Sequence, residues 1–138
     1  MIILDTSGLL AAIDAGQRLH ARAADALRTA SPPWILSPFV LAELDYLLAT
    51  RVSQRAERAL LAEVGRGVYR LESFTSDEVA AAERLIARHA DLDIGLADAS
   101  IVGLADRYDV RDVLTLDERH FRSLRVRGRP FRLLPADA

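Results

Sequence analysis

Neither cysteine nor lysine occurs among the 138 residues of this chain. Without Cys there can be no disulfide, no thiolate zinc site and no cysteine nucleophile. Without Lys, all 18 basic residues are Arg, the side chain better suited to gripping phosphate. Aromatic residues are scarce, 6% against 51% hydrophobic overall, so the core must be built from aliphatic side chains and Ala, and helices should dominate. Net charge is small, formally −2, and does not advertise a nucleic-acid partner, although local patches matter more than totals. No segment approaches the roughly 20 apolar residues of a membrane span, and the chain opens on a strand-like run with no basic, then apolar leader. One soluble cytoplasmic domain covering 1–138, with no membrane association, is expected.

What is present is an alternation of short apolar runs with helical patterns. Residues 1–4, Trp34–Leu36 and Asp112–Leu116 read as buried strands, with Val68–Leu71 and Phe131–Leu134 as further candidates. Helices are expected over Thr6–Asp14, Gln17–Ala30, Pro38–Thr50 with Ser37 as N-cap, from a Ser53 cap to Gly65, from a Thr75 or Ser76 cap to Ala90, over Leu96–Tyr108 and over Asp117–Leu124. Such alternation predicts an α/β fold, a short and mainly parallel sheet covered on both faces by helices.

Four acids stand where a soluble domain should not place them. Asp5 directly follows Ile2-Ile3-Leu4, and Asp117 follows Val113-Leu114-Thr115-Leu116. In open parallel sheets, ligands sit beyond the carboxyl ends of strands, which is where both fall. Each alone could equally be a helix N-cap. Glu43 has Phe39, Val40, Tyr46 and Leu47 at helical spacing, and Asp98 has Ile101, Val102 and Ala105, so each reads as lying on an apolar face. Isolated carboxylates in such settings cost several kcal/mol, to order of magnitude, unless compensated. Four together point to a hard divalent cation and to metal-assisted chemistry on phosphate esters. Asp93, in the loop entering the helix of Asp98, is either an outer-sphere residue or an ordinary loop Asp.

Leu4-Asp5-Thr6-Ser7, Ser37-Pro38 through Ala42-Glu43, Ala97-Asp98-Ala99-Ser100-Ile101, and Leu114-Thr115-Leu116-Asp117 with His120-Phe121 together resemble a PIN-domain ribonuclease, specifically the toxin of a VapBC toxin–antitoxin pair. The resemblance spans essentially the whole chain, in order. It implies a compact α/β/α sandwich, commonly dimeric, that cuts RNA with Mg²⁺ or Mn²⁺. It places the acidic quartet on Asp5, Glu43, Asp98 and Asp117, with Asp5 and Asp98 as direct ligands and the other two direct or through water. Thr6, Ser7 and Thr115 would orient carboxylates or water, with Asp93 as a further outer candidate. The expected products carry a 5′-phosphate and a 3′-hydroxyl. A cognate VapB-like antitoxin is implied as partner, laid over the helices of residues 38–50 and 53–64, where Trp34, Phe39 and Tyr46 offer surplus apolar surface. Two alternatives stay open: a PIN-like module that binds RNA or protein without cutting, and a phosphoesterase acting on DNA or small phosphate esters.

The C-terminal stretch crowds Arg119, Arg122, Arg125, Arg127, Arg129 and Arg132. These could grip RNA phosphates, Arg119, Arg122 and Arg125 above all, or bind an acidic partner segment, or be solvated surface. His20, His89 and His120 are too scattered to suggest a zinc site; His120, three residues after Asp117, could lie at the pocket mouth but reads rather as a helix-surface residue.

Overall fold

The computed structural model describes residues 1–138. Five three- or two-residue strands, β1 (Ile2–Leu4), β2 (Trp34–Leu36), β3 (Arg70–Leu71), β4 (Asp112–Leu114) and β7 (Arg132–Leu134), form one parallel sheet in the order β3-β2-β1-β4-β7. Seven helices flank it: α1 (Thr6–Ile13), α2 (His20–Thr29), α3 (Pro38–Arg51), α4 (Gln54–Gly65), α5 (Ser76–Arg88), α6 (Leu96–Tyr108) and α7 (Glu118–Phe121). A short antiparallel hairpin, β5 (Arg125–Val126) with β6 (Arg129–Pro130), precedes the last strand. The strands carry Ile, Leu and Val because a parallel sheet is buried on both faces, and Ile2, Ile3, Leu4, Ile35, Leu36, Val113 and Leu114 are all within 1% of full burial. No helix is long and apolar enough to cross a membrane.

The chain winds from β1 outward to β2 and β3 on one side, and to β4 and β7 on the other. The order therefore reverses between β1 and β4, and a crevice opens beyond the carboxyl ends of strands at such a point. Helix α1 starts immediately after β1 and lies hard against the neighbouring strand. A Cβ on Gly8 would stand 2.3 Å from the Leu114 carbonyl oxygen and 2.7 Å from Thr115 N. Only glycine allows that approach, and it brings the first turn of α1 onto the end of β4.

Local caps fall where side-chain chemistry supports them. Ser37 Oγ accepts from Phe39 N, with Pro38 at the first helical position, and Thr75 and Glu78 form a reciprocal capping box. Four boundaries depart from expectation. Helix α2 begins at His20, not Gln17, because Asp14 accepts from Gly16 N and Gln17 Nε2 and holds residues 14–17 in a turn. Strand β4 stops at Leu114 and the last helix is one turn long, since Thr115 to Asp117 turn their polar groups toward the start of α1. Strand β3 is confined to Arg70–Leu71 at an exposed edge. The Arg-rich stretch folds back as the β5–β6 hairpin, whose two turn residues Arg127 and Gly128 both have positive φ, 50° and 77°.

Candidate active site

Asp5 and Asp117 occupy the crevice between β1 and β4, tied to each other through one hydroxyl. Asp117 N donates to Thr115 Oγ1 at 2.9 Å, and Thr115 Oγ1 donates to Asp5 Oδ2 at 2.6 Å. Ser7 Oγ donates to the same Asp5 oxygen at 2.9 Å and accepts from Leu116 N at 2.9 Å. Asp5 thus does not cap α1 through its side chain; its carboxylate is taken by Ser7 and Thr115. Thr6 joins only through its backbone, for its hydroxyl is buried without a partner. Asp117 does cap α7, accepting from His120 N at 3.0 Å through Oδ1.

Asp98, in the first turn of α6, accepts from Gly95 N at 3.3 Å. Its side chain is 19% exposed, in keeping with the apolar face read from Ile101, Val102 and Ala105. Glu43 does not lie on the apolar face of α3. The buried stripe there is Val40, Leu44 and Leu48, at i and i+4 spacing, and Glu43 sits one residue off it in solvent beside an exposed Tyr46. Asp93 is exposed in a left-handed conformation, φ 57°, at the end of a short 3-10 turn. His120, expected at a helix surface, is instead largely buried. Its Nδ1 lies 2.8 Å from Asp117 Oδ2 and 3.5 Å from Asp98 Oδ2. Asp98, Asp117 and His120 each offer one donor atom within 4.8 Å of the others, and Asp5 and Glu43 lie outside that group.

The electrostatics link all four acids through Asp98. Burial, above all, pushes the Asp5 carboxyl up to about 6, against the donated bonds of Thr115 and Ser7, with the charge of Asp98 adding to the rise. Burial also raises Asp98, and Asp117 and Glu43 push in the same direction, while the Gly95 N–H and His120 oppose them. No Arg is among the groups acting on either. A cluster of carboxylates with no guanidinium in it suits a cation supplied from solution, and the three close donor atoms, with His120 Nε2 buried and unpartnered, fit a divalent ion.

The Asp5 shift has a consequence for stability. The folded chain keeps this proton up to about pH 6, whereas an unfolded aspartate releases it near 3.8, so metal-free stability falls as pH rises through that window. The difference corresponds to about 3 kcal/mol for this buried group. Urea unfolding in chelator across those pH values should show the decline in the wild type, and Asp5→Asn should flatten that part of it. An unaltered slope in the variant would assign the titration elsewhere.

Most of the C-terminal arginines are already engaged. Arg122 bonds Glu118 and Asp137, Arg127 pairs with Asp106 and Asp109, Arg129 with Asp109, and Arg132 with Asp112. Arg125 donates to the Arg122 and Leu124 carbonyls. Their principal task is to fasten the hairpin, the last strand and the chain end. Arg119, exposed and beside Asp117 and His120 in sequence, has no such partner.

The PIN-domain family model matches residues 2–126. Ribonuclease VapC26 of Mycobacterium tuberculosis is 44% identical over 135 residues, 97% of this chain and 100% of the relative. The crystal structure of Mycobacterium tuberculosis VapC20, a sarcin-ricin loop cleaving toxin, superposes with a TM-score of 0.79 at 27% identity, covering 85% of this chain and 90% of that one. FitAcB from Neisseria gonorrhoeae shares the fold, with a TM-score of 0.54 at 20% identity over 79% of this chain and 83% of that one.

Proposed function

Since this chain belongs to the PIN-domain family, we propose that it is an endoribonuclease, the toxin of a toxin–antitoxin pair, and that it works with a divalent metal ion. The observation that carries the reading is the convergence of carboxylates on Asp98 with no Arg to neutralise them. A pure binding module has no use for that arrangement, which costs stability in the absence of a cation. The relatives named ribonuclease and RNA-loop-cleaving toxin support RNA over DNA or small phosphate esters as the substrate class.

Asp98 and Asp117 would hold Mg²⁺ or Mn²⁺, with Asp5 and Glu43 binding directly or through water. A bound ion would supply an activated water and neutralise charge on the scissile phosphate. Thr115 and Ser7 fix the Asp5 carboxylate, and Thr115 carries that constraint on to the Asp117 backbone. The water oxygen forms the new bond to phosphorus, the bond from phosphorus to the 3′-oxygen breaks, and the proton ends on that oxygen. The products are therefore a 5′-phosphate and a 3′-hydroxyl. The test is incubation of total RNA with antitoxin-free protein, with Mg²⁺, with Mn²⁺ and with chelator, followed by end-group analysis. Metal-dependent discrete cuts support the reading; a 2′,3′-cyclic phosphate would overturn the hydrolytic route.

Among the three arginines considered for RNA, Arg122 is paired with two carboxylates and Arg125 is held by two backbone carbonyls, while Arg119 is exposed and held by neither. Arg119→Ala should reduce the slope of log affinity against log salt by about 0.7, one single-strand phosphate contact, while Arg122→Ala leaves it unchanged. Filter binding across a salt series checks this. For the antitoxin and for a second copy of the chain, exposed apolar side chains include Tyr46 on α3, Val52 just after it, Leu61 on α4, and Val68 and Leu71 before and on β3. Trp34 and Phe39 are less available, since Trp34 meets Tyr69 and Phe39 meets Phe74 in tilted ring contacts. A partner helix laid on that surface is the expected mode of inhibition.

A further inference from the structure

We propose that His120 is a nitrogen ligand of the site's cation and gives this centre a preference for Mn²⁺ over Mg²⁺. The proposal rests on the metal-dependent reading above. It starts from how α7 is built. Asp117 caps the single turn and accepts from the His120 backbone N–H, which folds residue 120 back over the carboxylate. The next residue, Phe121, is 1% exposed and meets Phe131 edge-on at 5.7 Å between ring centroids, so the turn is anchored in the core. The imidazole is thereby held between two helices' acids, with Nδ1 2.8 Å from Asp117 Oδ2 and 3.5 Å from Asp98 Oδ2.

The bland role for such a histidine is a hydrogen-bonded prop for Asp117. The geometry does not fit it. Both ring nitrogens are buried: Nε2 has no partner, and Nδ1 meets Asp117 Oδ2 at 2.8 Å without forming a directed hydrogen bond to it. A buried nitrogen set between two carboxylate oxygens, with no directed hydrogen bond to either, is what a ligand set looks like before its ion. Ligands next to each other around an ion with bonds of about 2.1 Å lie about 3 Å apart, and the two nitrogen–oxygen separations bracket that value. Carboxylates alone suit Mg²⁺, whereas an imidazole favours transition metals. Replacing one oxygen by this nitrogen should therefore weaken Mg²⁺ relative to Mn²⁺.

Pulsed electron paramagnetic resonance on the full chain loaded with Mn²⁺ alone tests this without reference to activity. A directly bound imidazole adds ¹⁴N modulation to the echo of the ion. The modulation is expected in the wild type and in His20→Gln and His89→Gln, and is expected to vanish in His120→Gln with Mn²⁺ affinity at least about tenfold weaker. His120→Asp should restore Mn²⁺ binding without the modulation and narrow the Mn²⁺-to-Mg²⁺ affinity ratio. The wild-type spectrum decides even where a variant does not fold. Bound Mn²⁺ without ¹⁴N modulation overturns the histidine ligand and leaves the metal nuclease standing. A wild type that takes up no Mn²⁺ overturns both.

Discussion

Asp98→Asn should lose RNA cleavage by roughly a thousandfold, the scale on which removing one stabiliser from a preorganised site acts, while the metal-free protein unfolds at a temperature no lower than the wild type. The two halves have one cause. Asp98 is the carboxylate on which the others act: burial raises it, Asp117 and Glu43 raise it further, and its own charge raises Asp5. Asparagine keeps an oxygen for the Gly95 N–H but removes the charge. The substitution therefore relieves repulsion in the metal-free fold and withdraws a ligand from the cation. Thermal unfolding with and without chelator supplies the independent readout, since added Mn²⁺ should raise the transition of the wild type and not of the variant. Cleavage by the variant within tenfold of wild type would mean that RNA is cut somewhere other than this crevice.

Gly8→Val should destabilise the fold by about 4 kcal/mol or more, at the upper end of what overpacking produces. Its new Cβ alone would enter the space of the Leu114 carbonyl, 2.3 Å from the oxygen. That carbonyl already accepts from Asp5 N at 3.0 Å, so it has no freedom to withdraw. Either α1 lifts from the sheet or β4 shifts. Both movements separate Ser7 from Thr115, whose hydroxyls lie 3.3 Å apart, and both release Asp5. Denaturant unfolding measures the stability, and a variant within 1 kcal/mol of wild type would show that the helix can retreat without cost. Activity should fall further than the folded fraction, because the site sits directly on the contact.

The parts of this molecule that were legible in the sequence are those where one residue's neighbours decide its fate. Ile2-Ile3-Leu4 and Val113-Leu114 can only be buried strands, and an Asp directly after Leu4 must face their carboxyl ends. Asp98 was readable because Ile101, Val102 and Ala105 surround it on the helix, and the Ser37-Pro38 start needs no tertiary context. Glu43 misled because its apolar neighbours at three and four residues straddle the buried stripe and do not define it; Tyr46 is 66% exposed despite its type. The spacing of three from Asp117 points His120 toward the pocket, but its contact with Asp98 comes from another helix and is invisible locally, so the surface reading prevails in the sequence. The hairpin was missed because Arg127-Gly128 is a poor version of the Asn-Gly turn signal, and the positive φ at Arg127 is held by pairing to Asp106 and Asp109 on and just after α6.

The strand order also sets a schedule. The hydroxyl that positions Asp5 belongs to Thr115, 110 residues later in the chain. At roughly 5–20 residues per second, a growing chain carries Asp5 for something like 5–20 s before its partner exists. Helices α1 to α5 can form in that interval, but β1 has only one neighbour until β4 emerges, and Gly8 has nothing to press against. The crevice is therefore a late product of translation. A chain interrupted between α6 and β4 already carries Asp5, Glu43 and Asp98 but lacks the Thr115 hydroxyl that holds Asp5 and the Asp117 carboxylate that completes the set. The bond between Thr115 and Asp5 closes only after β4 has taken its place beside β1.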